Sequence, residues 1–196
     1  MDRFQNTGHP DRDWWSELWP DTEATLRSLG VREGDSVADV AAGNGHFTLA
    51  AAQVVGDGPV YAVDLDAELL AELADRASEA NFDRIETIEG DARDLPDLLS
   101  ESVDVVLFAN TLHGVPDPTE FCRTARDVLR DDGRFLVVNW RDQPSEETTV
   151  LGEVRGPPTS LRMAEADAVE LAREAGFSEV EVVDLPPYHY GLICRR

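Results

Sequence analysis

From residue 36 onward, short apolar runs alternate with longer segments in which apolar residues recur every three or four positions. The runs at 36–40, 60–64, 85–89, 103–109 and 135–139 have the length of strands, and the segments at 47–55, 68–81 and 119–129 have the helical period. This βαβα order predicts an α/β fold in which a mostly parallel sheet is covered by helices on both faces. The punctuation agrees, because Asp117 and Pro118 stand at the start of the third helix and Gly133 follows its end.

After Asn139 the regularity breaks. Residues 141–162 are polar, contain Gly152, Gly156, Pro157 and Pro158, and read as one long loop of the kind that is functional or disordered in a compact domain. A helix over 164–175 stops at Gly176, and strands at 179–183 and 188–194 finish the chain. At the other end the first twelve residues are polar, hold Gly8 and Pro10, and read as a loose arm. Trp14, Trp15, Leu18 and Trp19 then cluster at helical spacing, and Asp21 is placed to cap a second helix that runs from Thr22 to Gly30. Tryptophans so grouped either dock onto a core or wall a substrate pocket. A chain of 196 residues without internal repeats reads as one domain, 1–196, with an N-terminal arm and helices at 1–30, a core at 36–140, and a further loop with C-terminal strands at 141–196.

The segment Val37-Ala38-Asp39-Val40-Ala41-Ala42-Gly43-Asn44-Gly45-His46-Phe47-Thr48 joins the first strand to the first helix of the core. Gly43 and Gly45 lack side chains, so a ligand can lie directly over the strand end. His46 starts the helix and is given no further role. Asp64 ends the next strand, where a carboxylate can accept hydrogen bonds from both hydroxyls of a ribose. Dinucleotides need a third glycine where Thr48 stands, and no basic side chain lies nearby in sequence to support a pyrophosphate. S-adenosylmethionine carries a ribose, no phosphate and a cationic sulfonium, and suits an acidic site of this kind better.

The run Asp39 to Gly45 resembles the D-x-G-x-G-x-G motif of class I S-adenosylmethionine-dependent methyltransferases, with Ala41 in place of the first glycine. Tyr61-Ala62-Val63-Asp64, Glu89-Gly90-Asp91-Ala92, the stretch from Val103 to Asn110, and Val128 to Phe135 are similar to that family's further motifs, in order. The broader likeness is to the menaquinone and ubiquinone biosynthesis methyltransferases. It implies a Rossmann-like seven-stranded sheet whose last strand is antiparallel. It also implies a cofactor site of Asp39, Ala41, Gly43, Gly45, Asp64 with Leu65, Asp91 with Ala92, and Asn110: Asp64 for the ribose, Asp91 for the adenine amino group, and Asn110 near the methionine portion. On the substrate side the candidate catalytic groups are His113, after the fourth strand, and Tyr188 and His189 before the last, since a near-neutral histidine can remove a proton from an acceptor. The function expected is methyl transfer to a small molecule. The rival readings are a cofactor-binding protein without catalysis and a nicotinamide-dependent oxidoreductase.

Charge narrows the partners. With 40 acidic residues against 17 basic ones, all arginine, the net charge is −23. Such a surface repels polyanions, which argues against nucleic acid and anionic membranes. No run approaches the roughly 18 apolar residues of a membrane span, and the start Met1-Asp2-Arg3-Phe4-Gln5 has no signal-peptide character, so a cytoplasmic location is expected. Cys122 and Cys194 stand without metal-ligand spacing, and no metal is expected. The composition resembles that of salt-adapted archaeal proteins. Screening relieves carboxylate repulsion most in the compact state, so the melting temperature should climb as KCl is raised from about 0.1 M to about 2 M. A flat or falling profile in calorimetry would refute the halophilic reading.

Overall fold

The apolar runs become strands of a single sheet in the computed structural model, which describes residues 3–8 and 12–196. In chain order these strands are β1 (Val37–Val40), β2 (Val60–Asp64), β3 (Ile85–Glu89), β4 (Val103–Ala109) and β5 (Leu129–Trp140). A small hairpin follows, of β6 (Thr149–Val150) and β7 (Glu153–Val154), and then β8 (Glu179–Leu185) and β9 (His189–Arg195). The seven-stranded sheet has the order β3-β2-β1-β4-β5-β9-β8. Only β9 runs against its neighbours, antiparallel to both β5 and β8. The Rossmann-like arrangement implied by the family resemblance is therefore the one observed.

Alternation along the strands sorts the core into two layers. Val106 and Phe108 of β4, with Phe135 and Val137 of β5, pack under α6 (Pro118–Asp127) and α7 (Glu165–Glu174). Their neighbours Val105, Leu107, Leu136 and Val138 pack on the opposite face with α2 (Thr22–Ser28) and α3 (His46–Val55). On that same side, α4 (Ala67–Glu79) seals β2 through Leu70 and Leu73 against Ala62. Asp21 caps α2 by accepting from the Ala24 N–H at 2.9 Å, as its position in the sequence predicts.

Several expectations are corrected. The third core helix ends at Asp127 and not at Leu129, because Leu129 already pairs with Val103 as the first residue of β5. The register then shifts, so the chain bulges before Arg134 rejoins Val105. A short helix, α5 (Leu95–Leu98), appears where four residues are too few to show a period. The supposed loop 141–162 holds the β6–β7 hairpin, turned at Leu151 and Gly152, both with positive φ. The supposed loose arm is docked over residues 3–8, where Phe4 packs edge-on against Phe108 and Phe121, and its residue 12 already opens helix α1 (Arg12–Leu18). The rest of that stretch lies outside the described residues.

Gly45 occupies the junction of α3 and α4. Its φ is +86°, and a Cβ there would meet Leu73 Cδ1 at 2.2 Å and Cγ at 3.0 Å. Leu73 is fully buried and has nowhere to move. Gly45→Ala should therefore cost about 1–3 kcal/mol of stability through overpacking and a left-handed backbone. Chemical denaturation measures this, and an unchanged midpoint would mean that α4 shifts freely.

Candidate active site

A cavity of about 320 Å³ opens at the C-terminal ends of β1, β2 and β4, where the strand order reverses direction on either side of β1. Its floor is the turn after β1. Ala41, Gly43 and Gly45 all have positive φ, at 60°, 56° and 86°. Ala41 thus adopts the conformation a glycine would, at a cost of roughly 1–2 kcal/mol. Asp64, at the end of β2, holds this turn: its Oδ2 accepts from the Gly43 N–H at 2.7 Å and its Oδ1 from the Asp66 N–H at 2.9 Å. Asp66 in turn caps α4. Beyond β3, the Gly90 N–H donates to the Asp64 carbonyl at 2.9 Å, which brings Asp91 and Ala92 onto the same wall.

The charged groups have distinct states. Asp91 is nearly buried and paired with Arg93, whose Nε donates to Oδ1 at 2.8 Å, and this holds its carboxyl below the usual range. It also caps the turn at Arg93. Asp39 lies under the glycine turn with 2% of its surface exposed, and the Thr48 hydroxyl donates to its Oδ2 at 2.6 Å. Burial pushes its carboxyl up to about 7; the Thr48 bond pulls it down, and neighbouring Asp64 pushes it up further.

Asn110 follows β4 with φ at 58°. Its backbone N–H donates to the Val138 carbonyl at 2.7 Å. Both polar atoms of its side chain lack a hydrogen-bond partner among the described residues, although the residue lines the cavity. Its amide is therefore open to a polar ligand in the cavity. His113 sits in the next turn with Nε2 3.3 Å from the Asn6 carbonyl, which assigns the proton to Nε2 and the lone pair to Nδ1. Burial lowers its pKa below the ordinary value, with the charge of Arg162 adding to the effect.

Of the nine residues expected at the cofactor, Asp39, Ala41, Gly43, Asp64 and Leu65 line the cavity from the β1 and β2 side. Asp91, Ala92 and Asn110 line it from β3 and β4, while Gly45 lies beneath, against Leu73. His113 reaches the cavity, but Tyr188 and His189 do not. Register explains the difference: His189 pairs with Trp140, and its fully buried ring lies 4.2 Å from that indole and 4.6 Å from Trp19, centroid to centroid. Burial drives its pKa well down. The Tyr188 hydroxyl donates to the Thr149 carbonyl at 2.9 Å, and its ring stacks on Trp140. Both residues support Trp140, which itself faces the cavity, so their assignment to catalysis is withdrawn.

Of the tryptophan cluster, Trp14 and Trp15 line the cavity, whereas Trp19 docks into the core. His46 also faces the cavity, with Nε2 2.8 Å from the Thr22 hydroxyl. Of the segment 141–162, Gly156 and Pro157 contribute. Arg3 reaches the cavity edge paired with Asp66, which corrects the expectation of no basic side chain nearby.

The methyltransferase domain family matches residues 32–176. The chain belongs to that family. Among relatives of the chain, a 27-O-demethylrifamycin SV methyltransferase of Amycolatopsis mediterranei is 31% identical over 91% of the chain and 65% of the relative. A ubiquinone/menaquinone biosynthesis C-methyltransferase of Hahella chejuensis is 34% identical over 59% of the chain and 47% of the relative. The chain thus spans about half to two thirds of the length of these relatives. The crystal structure of a SAM-dependent methyltransferase from Aquifex aeolicus superposes with a TM-score of 0.80 at 24% identity, over 94% of this chain and 93% of that one, and confirms the fold.

Asp39 supplies a test that needs no ligand. A folded-state pKa of about 7, above the ordinary 3.8, means that its contribution to stability is lost as pH rises from about 4 to about 7. Asp39→Asn should therefore gain stability over the parent protein, and gain more at pH 8 than at pH 5 by about 1.4 kcal/mol or more. Equal gains in urea titrations at both pH values would place the carboxyl at ordinary acidity.

Proposed function

We propose that this methyltransferase transfers the methyl group of S-adenosylmethionine to a small molecule held at the tryptophan end of the cavity. The observation that carries this reading is Asp64. It lines the cavity, and each of its oxygens takes one backbone donor and retains acceptor capacity that the hydroxyls of a ribose can use. Asp91, Ala92 and Leu65 flank the adenine end, and the unpartnered amide of Asn110 meets the polar methionine portion. When bound, the cofactor supplies an electrophilic methyl group on a sulfonium. Trp14, Trp15, Trp140 and Pro157 exclude water from the other half of the cavity and align an acceptor, which can supply most of the rate for an activated one. His113 lines the cavity with its pKa held below the ordinary value by burial, and its imidazole is the candidate base for an acceptor proton.

The acceptor belongs to the small-molecule class, as the rifamycin and quinone names of the relatives suggest. The net charge of −23 disfavours nucleic acid. No helix among the described residues is long and apolar enough to cross a membrane. With its two cysteines free and buried, the chain suits a reducing cytoplasm, and its carboxylate excess suits a salt-rich one.

The test is calorimetric titration with S-adenosylhomocysteine. Asp64→Ala removes bonds from two hydroxyls to a charged acceptor, each worth about 1.5–3 kcal/mol, and should weaken binding at least tenfold. Unchanged affinity in a folded variant, or preference for NAD in the parent protein, would refute the assignment.

A further inference from the structure

The segment from Arg3 to Gly8 crosses the cavity mouth and is tied to both of its banks. On the β2 bank, Arg3 forms an ion pair with Asp66, the cap of α4. On the β4 bank, the Gln5 N–H donates to the Gly114 carbonyl at 2.9 Å, and the Asn6 carbonyl faces His113 Nε2. Between these ties Phe4 is inserted edge-on, its ring centroid 6.5 Å from that of Phe108 and 6.2 Å from that of Phe121. The guanidinium carbon of Arg93 lies 5.8 Å from the Phe4 ring centroid. The Thr7 hydroxyl donates to the Phe4 carbonyl at 2.9 Å and holds the segment in a turn.

Gly114 is shaped to this segment. A Cβ at that position would lie 2.1 Å from the Gln5 carbonyl oxygen and 2.8 Å from Thr7 Cγ2, so the segment seats only over a glycine. Gly114 itself does not line the cavity, whereas Arg3, Phe4, Asn6 and Thr7 do. The cavity they roof, about 320 Å³, is at the low end for one small-molecule ligand. The reaction needs two ligands in it.

We propose that residues 3–8 are a gate latched by Phe4, which opens to admit and release the cofactor and closes over it when bound. The proposal rests on the reading that this cavity takes S-adenosylmethionine. The latch consists of one half-buried ring, one exposed ion pair and a few hydrogen bonds, with no strand or helix built into it. Segments so lightly held open locally while the rest of the fold stays intact. Closing also withdraws the sulfonium end from water and completes the wall beside His113.

A gate and a mere wall differ in kinetics. Loosening a gate raises the fraction of open molecules and speeds both arrival and departure of ligand. Removing a wall contact acts on departure alone. The experiment is stopped-flow measurement of S-adenosylhomocysteine binding and release, followed by tryptophan fluorescence, on the full chain and on Phe4→Ala, Gly114→Ala and Arg3→Ala. The gate predicts that association and dissociation rate constants both rise, by about fivefold or more in Phe4→Ala and Gly114→Ala and in the same direction in Arg3→Ala. Arg3 is exposed, so that variant keeps the test open if the two core-facing changes impair folding. Rates equal to those of the parent protein, or a rise in dissociation alone, overturn the gate. Absence of binding to the parent protein overturns the reading of the cavity itself, a separate outcome.

Discussion

Three segments that lie far apart in the chain meet at Asp64. Its two carboxylate oxygens hold the glycine turn after β1 and the first turn of α4, and its carbonyl takes the Gly90 N–H that brings in the segment after β3. The Asp64 carboxylate adds to the backbone bond from the Ala42 N–H to the Val63 carbonyl at 3.1 Å, and together they hold the left-handed backbone at Ala41 and Gly43 against β2. Asp66, positioned by the same carboxylate, then serves as cap for α4 and as anchor for Arg3. The floor, one bank and one end of the roof are all tied to β2 through Asp64 and its neighbour Asp66.

The cavity built on that frame is divided chemically. Asp39, Asp64 and Asp91 stand at one end, and Trp14, Trp15, His46 and Trp140 line the rest. The acidic end suits a ligand that carries hydroxyls, an amine and a cationic sulfur. Within the acidic end the three groups are set apart by their surroundings: Arg93 keeps Asp91 ionised, while burial brings Asp39 to the edge of neutrality. Two like charges close together would otherwise repel, and the raised pKa of Asp39 relieves this in the absence of ligand.

Trp140 links the two halves of the substrate wall. Gly156 lies flat on its ring, since a Cβ there would come within 2.9 Å of three ring atoms, while His189 and Tyr188 press on it from the β9 side. Arg162 adds its guanidinium over the same ring and binds the Pro157 carbonyl at 3.1 Å. Tyr188 and His189, singled out near the last strand, therefore pack against this indole and do not themselves line the cavity.

The alternation of apolar runs and amphipathic segments determined the sheet, its flanking helices and the glycine turn, because those patterns are local: strand burial repeats every two residues and helix burial every three to four. The spacing from Gly43 to Asp64 was legible for the same reason, since one βαβ unit carries both. Which side a residue near the last strand faces was not legible, because the pairing of His189 with Trp140 decides it, and a sequence does not state register. Phe4 stands alone in a polar stretch and has no period to betray it. Its place was decided only by the paired rings of Phe108 and Phe121 and by the bare backbone of Gly114, which meet the N-terminal segment only once the chain has folded.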